Sequence, residues 1–94
     1  MDSPSDTRPW EPVAGLRIDV LSNGWMELHA PGTPEALLCT AQETAMWVAL
    51  SRNAWSLGDA ALMLSENWGV EPWTLRDRMS EWLERLAYSG FVAR

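Results

Sequence analysis

The stretch ALLCTAQETAMWVAL, residues 36–50, contains the point at which the hydrophobic pattern changes from that of a strand to that of a helix. A short apolar run ends at Cys39, and TAQE, residues 40–43, then has the spacing of a capping box. In that motif the threonine oxygen accepts a hydrogen bond from a free helical amide, and the glutamate reaches back to the amide of the cap residue. The pattern predicts a helix that begins after Thr40. Its apolar positions at helical spacing are Ala45, Met46, Ala49 and Leu50.

Two predicted strands precede this junction. Apolar and polar residues alternate over residues 16–20, which is the period of a half-buried strand with Ile18 and Val20 towards the core. The turn SNG, residues 22–24, follows, because Asn-Gly tolerates the positive φ angles that a tight hairpin requires. Alternation resumes over residues 25–30 and predicts a second strand. Its core-side residues are Met26, Leu28 and Ala30.

A third predicted strand follows the turn PGTP, residues 31–34, and completes an antiparallel meander. The outer strands of a meander each have one edge of unpaired amides and carbonyls. Such an edge can be completed by another extended chain. The third strand is a candidate for this role, and its residues are Glu35, Ala36, Leu37, Leu38 and Cys39.

Two further helices are predicted downstream. SLGD, residues 56–59, offers a second N-cap with Asp59 in the first turn, and Gly69 ends that helix. EPWT, residues 71–74, opens the third helix, and SG, residues 89–90, closes it before Phe91 and Val92 return to the core. The element order is β-β-β-α-α-α. The predicted fold class is therefore α+β, a three-stranded antiparallel meander followed by three α-helices.

The third predicted helix carries two arginines and two large apolar residues at positions i, i+3, i+7 and i+10, which fall along one stripe. These residues are Leu75, Arg78, Trp82 and Arg85. The neighbouring Met79 fits the core, and the two apolar members of the stripe fit it as well. Arg85 has Glu81 four residues before it, the spacing of an ordinary surface ion pair, whereas Arg78 has no acid four residues away.

Length and charge limit the functions that this chain can have. Its 94 residues predict one small domain, residues 13–94, after a flexible proline-rich tail, residues 1–12. Trp10 in that tail either folds back onto the domain or is exposed. The chain has 13 acidic residues and 7 arginines without a lysine, a formal charge of −6. This charge has the wrong sign for holding a phosphate backbone, so a nucleic-acid partner is not expected.

The single cysteine and single histidine argue against a metal site, a cofactor or catalysis. Cys39 fits a small buried apolar residue, and His29 fits a surface position on the second strand. One cysteine and one histidine cannot build a disulfide framework or a Cys/His zinc site, and no set of acid, base and nucleophile is evident. The sequence shows no secretory signal and no apolar run of membrane-spanning length, so we expect a cytoplasmic protein without a membrane partner.

Three stretches together resemble a known family: ALLCTAQETAMWVAL, WSLGDAALMLSENWGVEP and LRDRMSEWLERLAYSGFV. They resemble the pyrroloquinoline-quinone biosynthesis chaperone D (PqqD) family and the related RiPP recognition elements, over residues 16–92. The features that carry the resemblance are alanine and tryptophan early in the first helix, a Gly-Val-x-Pro connection and the ending of the third helix. In this chain they are Ala45, Trp47, residues 69–72 and residues 82–92.

The resemblance implies a small winged-helix-like module that is not an enzyme. Family members hold the leader segment of a ribosomally synthesised precursor peptide as an added strand, in a cleft between the third strand and the third helix. A separate modifying enzyme or leader peptidase is then implied as a second partner. Carried over to this chain, the peptide site comprises the strand Glu35 to Cys39 and the helix residues Leu75, Arg78, Met79, Trp82 and Arg85. Four or five strand hydrogen bonds and an acidic leader with an apolar anchor are expected.

Two other functions remain open. The protein could be an interaction adaptor that docks an enzyme through tryptophans such as Trp47 and Trp55, with no leader peptide in the cleft. A winged-helix DNA-binding protein could share the architecture, but it would need a basic recognition helix. The second predicted helix instead carries Asp59 and Glu66 and no arginine.

Overall fold

A three-stranded antiparallel sheet followed by three helices forms the body of the protein, which confirms the predicted α+β fold. The computed structural model describes residues 9–94, so residues 1–8 of the predicted tail lie outside the described part. The elements in chain order are β1 (Glu11–Pro12), β2 (Arg17–Val20), β3 (Met26–His29), β4 (Leu37–Cys39), α1 (Ala41–Arg52), α2 (Leu57–Trp68), α3 (Pro72–Tyr88) and β5 (Val92–Ala93). Among residues 9–94, no helix has the length and apolar character needed to cross a membrane.

The capping box forms as predicted and fixes the junction between β4 and α1. The Thr40 side-chain oxygen accepts from the Glu43 amide at 3.2 Å, and the Glu43 carboxylate accepts from the Thr40 amide at 2.8 Å. The second helix is capped by Ser56, whose side-chain oxygen accepts from the Asp59 amide, and it ends at Gly69 in the left-handed conformation. These local signals place the helix boundaries that the sequence predicted.

The hairpin between β2 and β3 has a three-residue loop, residues 22–24. The Leu21 amide donates to the Trp25 carbonyl, and the Gly24 amide donates back to the Leu21 carbonyl. Gly24 has a φ of +87°. Asn23 keeps a negative φ, and its side-chain oxygen accepts from the Trp25 amide. The loop therefore matches a turn followed by one left-handed glycine, and the resulting register pairs Asp19 with Glu27.

The sequence predicts that Ile18 and Val20 face the core, and the structure places them on that face without burying them. They pair with Leu28 and Met26 and so share the face that carries these buried residues, yet they remain 41% and 66% exposed. The reason is that β2 is the outermost strand, and no helix packs closely on it within residues 9–94. Alternation correctly assigns the face but does not show whether another layer covers it.

Residues 9–12, the described part of the predicted tail, are packed against the last residues of the chain. β1 pairs with β5, and the Val13 amide donates to the Phe91 carbonyl at 3.1 Å. Trp10 is buried, and the Arg94 guanidinium lies 4.1 Å from its ring centroid, within cation–π distance. One large aromatic side chain thus supplies the apolar area that holds residues 9–12 to the domain.

The core lies between the sheet and the helices, and α3 contributes most to it. The buried residues of α3 are Leu75, Met79, Trp82, Leu83 and Leu86. Trp47 of α1 is also buried and contacts Trp82 and the half-buried Trp55 in edge-to-face geometry, with ring centroids 6.4 and 5.0 Å apart. Trp47 and Trp55 therefore seal the helical layer, so the partner surface that an adaptor would need lies elsewhere.

Candidate functional site

A groove of about 250 Å³ lies between the first turns of α1 and the outer face of α3. Buried apolar side chains form its floor, and charged side chains form its rim. We call it the α1–α3 groove. Its lining residues are Thr40, Gln42, Glu43, Met46, Trp68, Leu75, Arg78, Glu81, Trp82 and Arg85.

The predicted stripe on the third helix is brought together in this groove. Leu75 and Trp82 are buried and belong to the floor, while Arg78 and Arg85 are exposed on the rim. Met79 does not line the groove, because its side chain is fully buried in the core. Residues three and four apart share a face of a helix, so Leu75, Arg78, Trp82 and Arg85 form one stripe, and the buried Met79 borders this stripe on its buried side.

The predicted third strand is shorter than expected and lies next to the groove rather than in its wall. Only Leu37–Cys39 form β4, and Glu35 and Ala36 are exposed outside it. Residues 34 and 35 form a bend after the turn that the hydrogen bond from the Thr33 amide to the Ala30 carbonyl closes. None of residues 35–39 lines the groove, whose wall begins at the next residue, Thr40.

The outer edge of β4 has no backbone partner in the part of the chain that the structure describes. The sheet order is β2-β3-β4, and β4 pairs only with β3 among residues 9–94. Alternate residues of an edge strand direct their amides and carbonyls outward, so three residues offer about two to four hydrogen bonds to an added strand. The Thr40 amide is already used by Glu43, which ends the free edge at Cys39. This edge therefore supplies at most the lower end of the expected four or five bonds.

The two faces of β4 have different environments. Leu38 pairs with Glu27 and lies on the outer face of the sheet, where it is exposed. Cys39 pairs with Met26 on the core face and is buried, as the sequence predicted, and Leu37 on the same face is half-buried. An added strand beside β4 would continue both faces, so its alternate side chains would point to the helical layer and to solvent.

We predict that the Cys39 thiol is unreactive in the folded protein. Burial, and to a smaller extent the nearby Glu43 carboxylate, raises the pKa of the Cys39 thiol to about 11. At pH 7.5 the thiolate fraction is then more than about a hundredfold below that of a free thiol, and burial limits access as well. Alkylation by iodoacetamide followed by mass spectrometry should show little modification of the native protein and complete modification in denaturant. Rapid labelling of the native protein would contradict this environment.

The two arginines of the groove are not neutralised by ion pairs. No carboxylate among residues 9–94 lies within 4.0 Å of the Arg78 or Arg85 guanidinium. The surface ion pair between Glu81 and Arg85 that the spacing allows is thus not formed, although both side chains line the groove. The rim also carries Glu43, whose carboxylate is held by the Thr40 amide. Both guanidinium groups keep their donors available to a bound carboxylate.

Several groove residues were not predicted from the sequence. Gln42 and Met46 belong to the first turns of α1, and Trp68 is the last residue of α2. Glu43 was assigned only to the capping box, and its location in that motif is what brings it to the rim. The capping box next to the end of a strand could have predicted the α1 residues of the groove, because it determines which helical turn adjoins the strand edge.

A second cluster of polar side chains lies on the outer face of the sheet, away from the groove. Asp19, Glu27 and His29 place one ligand atom each within 4.8 Å of the others. The sequence predicted His29 at a surface strand position but did not bring the two carboxylates to it. The hairpin register does so, because it sets Asp19 directly opposite Glu27.

The outer face of the α2–α3 pair carries a third feature, a shallow cleft with two exposed large apolar residues. Trp73 is 63% exposed and Leu62 is 52% exposed, and Arg76 lies at the same cleft.

Comparison of the chain with protein-family models, with curated proteins and with solved structures finds no match.

Proposed function

We propose that this protein is a non-catalytic, cytoplasmic module that captures the leader segment of a ribosomally synthesised precursor peptide. The leader adds as a strand to the free edge of β4 and inserts an anchor side chain into the α1–α3 groove. The bound precursor is then presented to a separate modifying enzyme or leader peptidase. The observation that carries the proposal is a strand edge and two arginines that have no partner among residues 9–94, with the edge ending at a groove that has an apolar floor.

The size of the groove favours a peptide side chain over a small-molecule substrate. Sites for small molecules usually have about 300–1,000 Å³ and enclose most of the ligand. The α1–α3 groove has about 250 Å³ and is open to solvent along its rim. One aromatic or aliphatic side chain resting on Trp82 and Leu75 would use this space, and its burial contributes about 1.5–3 kcal/mol.

The charges of the rim favour a leader with acidic residues near its anchor. Arg78 and Arg85 are exposed in the free protein, so each contact with a leader carboxylate contributes about 1 kcal/mol, and more where the bound peptide excludes water. The edge of β4 supplies fewer hydrogen bonds than a long strand, so the anchor and the arginines carry a larger share of the affinity. The net charge of −6 opposes long-range attraction of an acidic peptide, so recognition depends on these local contacts.

The groove has a composition suited to holding a peptide rather than reacting with it. Its lining contains neither His29 nor Cys39, the only histidine and cysteine of the chain. The raised pKa of the Cys39 thiol, caused by burial and then by the Glu43 charge, keeps that group protonated at neutral pH. These features support a binding role in which the chemistry belongs to the partner enzyme.

The direct experiment is titration of the purified protein with synthetic peptides that correspond to the short precursors encoded beside it. Trp82 forms part of the groove floor, so binding should change the tryptophan fluorescence in a saturable manner. The expected Kd is in the micromolar range, about −8 kcal/mol. Unchanged fluorescence and no heat of binding with every such peptide, together with tight binding of an enzyme encoded nearby, would reject leader capture.

A second candidate function, a protein-interaction adaptor, is favoured by the α2–α3 cleft. Trp73 and Leu62 expose apolar surface there, and tryptophan is the residue most often found as an energetic anchor in interfaces. In this alternative the enzyme docks on Trp73 while the α1–α3 groove stays empty. Trp73→Ala would then abolish enzyme binding, and Arg78→Glu would have no effect on any activity of the complex.

A further inference from the structure

The outer face of the sheet brings three metal-ligating side chains together through the pairing of β2 with β3. Asp19 and Glu27 are directly opposite each other, and His29 is two residues further along β3. The His29 Nε2 atom lies 3.2 Å from the Asp19 Oδ2 atom and 3.6 Å from the Glu27 Oε1 atom. All three side chains are therefore on one face, and one ligand atom of each lies within 4.8 Å of the others.

The imidazole nitrogen in this cluster is solvent-shielded and makes no hydrogen bond among residues 9–94. Neither carboxylate has hydrogen-bond geometry towards it, although both are within ion-pair distance. A covered polar atom without a hydrogen-bond partner costs free energy. A cation coordinated by all three atoms would remove this cost, because imidazole and carboxylate groups are ligands that share a metal.

We propose that Asp19, Glu27 and His29 form a zinc-binding site. Ligand atoms about 2.0–2.2 Å from a tetrahedral zinc ion are about 3.3–3.5 Å apart, and the two measured distances from His29 bracket these values. Two carboxylates and a neutral imidazole neutralise the charge of the ion. The three side chains are partly exposed, so water can occupy the fourth position. The ion would join β2 to β3.

Arg17 provides an internal test of the proposal. Its guanidinium nitrogen lies 3.6 Å from the same Asp19 oxygen that faces His29, and its side chain is otherwise exposed. A positive charge at this position competes with a cation for the carboxylate. Removing it in Arg17→Gln should therefore tighten zinc binding a few-fold. A gain of affinity cannot result from misfolding.

The experiment uses protein from which any affinity tag has been removed, with Zn²⁺ followed by calorimetry and Co²⁺ followed by its visible absorption. One ion per chain should bind, and His29→Gln, Asp19→Asn and Glu27→Gln should each weaken binding by about tenfold or more. Glu84→Gln, a neutralised acid on the exposed side of α3, is the matched control and should bind as the unmodified protein does. Because His29 is the only histidine, its imidazole NMR signals report the ion directly.

Several results would overturn the site. They are the absence of Zn²⁺ binding, binding that survives His29→Gln, and binding of Mg²⁺ or Ca²⁺ as tight as that of Zn²⁺, which would indicate carboxylates alone. Zinc binding that is lost only in Cys39→Ala would place the ion at the thiol instead. The proposal does not depend on leader capture, since the cluster is on the outer face of the sheet and shares no residue with the α1–α3 groove.

Discussion

Reversing both groove arginines, in the double variant Arg78→Glu with Arg85→Glu, is expected to weaken binding of an acidic leader peptide by about a hundredfold. Each reversal removes an attraction and adds a repulsion, which together amount to about 1.4 kcal/mol or a factor of ten. The two residues are seven positions apart, about 10 Å along the helix axis, so their effects should add. Isothermal titration at fixed ionic strength measures the change, because salt screens these exposed charges.

The matched control for this prediction is Arg76→Glu. Arg76 is on the same helix and is exposed, but it lies at the α2–α3 cleft and does not line the α1–α3 groove. It carries the same change of charge as either single reversal, so it should leave leader affinity within about twofold. Glu81→Gln, which removes a negative charge from the groove rim, should strengthen binding of the same peptide. A loss in the Arg76 variant as large as that of Arg78→Glu or Arg85→Glu alone would mean that net charge, and not the groove, determines binding.

Met79→Ala is expected to lower the free energy of unfolding by about 2–5 kcal/mol without changing the affinity of the folded protein for a leader. The Met79 side chain is fully buried beneath the groove floor and does not reach the groove itself. Its truncation leaves a cavity in a small domain whose total stability is about 5–14 kcal/mol. Urea unfolding measures the loss, and peptide titration under conditions where the variant remains folded measures the affinity.

Met79→Leu tests whether the loss of stability comes from the lost volume or from the loss of methionine itself. A substitution that nearly conserves side-chain volume usually lowers the free energy of unfolding by less than about 1.5 kcal/mol. It should recover most of the stability that Met79→Ala loses. A variant Met79→Ala that keeps its stability but loses peptide affinity would assign Met79 to the peptide site, as the family resemblance implied. That result would also contradict the finding that the Met79 side chain is fully buried and does not line the groove.

The helices could be predicted from the sequence because their signals are local. The threonine and glutamate of the capping box are three residues apart, and Gly69 adopts a conformation that other residues rarely take. The same holds for the α3 stripe, since helical periodicity alone puts Arg78 and Arg85 on one face. Helical periodicity did not distinguish the buried floor residues from the exposed rim residues, because their burial depends on how closely α1 approaches α3.

The sheet was less predictable because its details depend on partners that are distant in sequence. The face of Ile18 and Val20 follows from alternation, but their exposure follows from the absence of a helix over β2. The length of β4 depends on where the turn at residues 31–34 ends. The packing of Trp10 on Arg94 joins the two ends of the domain and has no local signal.

The cluster of Asp19, Glu27 and His29 depends on a single feature of the hairpin. A two-residue turn at Asn23 and Gly24 would have shifted the pairing by one residue, and such a slip moves every side chain to the opposite face. The three-residue loop instead pairs Asp19 with Glu27. A sequence pattern that allows both loop lengths cannot distinguish these registers, so the cluster could be identified only from the structure.

Hydrogen exchange at the two edges of the sheet tests leader capture most directly. Strands β2 and β4 both have a free outer edge among residues 9–94, but only β4 leads into the α1–α3 groove. On saturation with a leader peptide, outward-facing amides within Leu37–Cys39 should exchange at least about tenfold more slowly, whereas those of Arg17–Val20 should be unchanged. Saturable binding that protects β2 or the α2–α3 cleft and leaves β4 at its original rate would contradict strand addition at this edge.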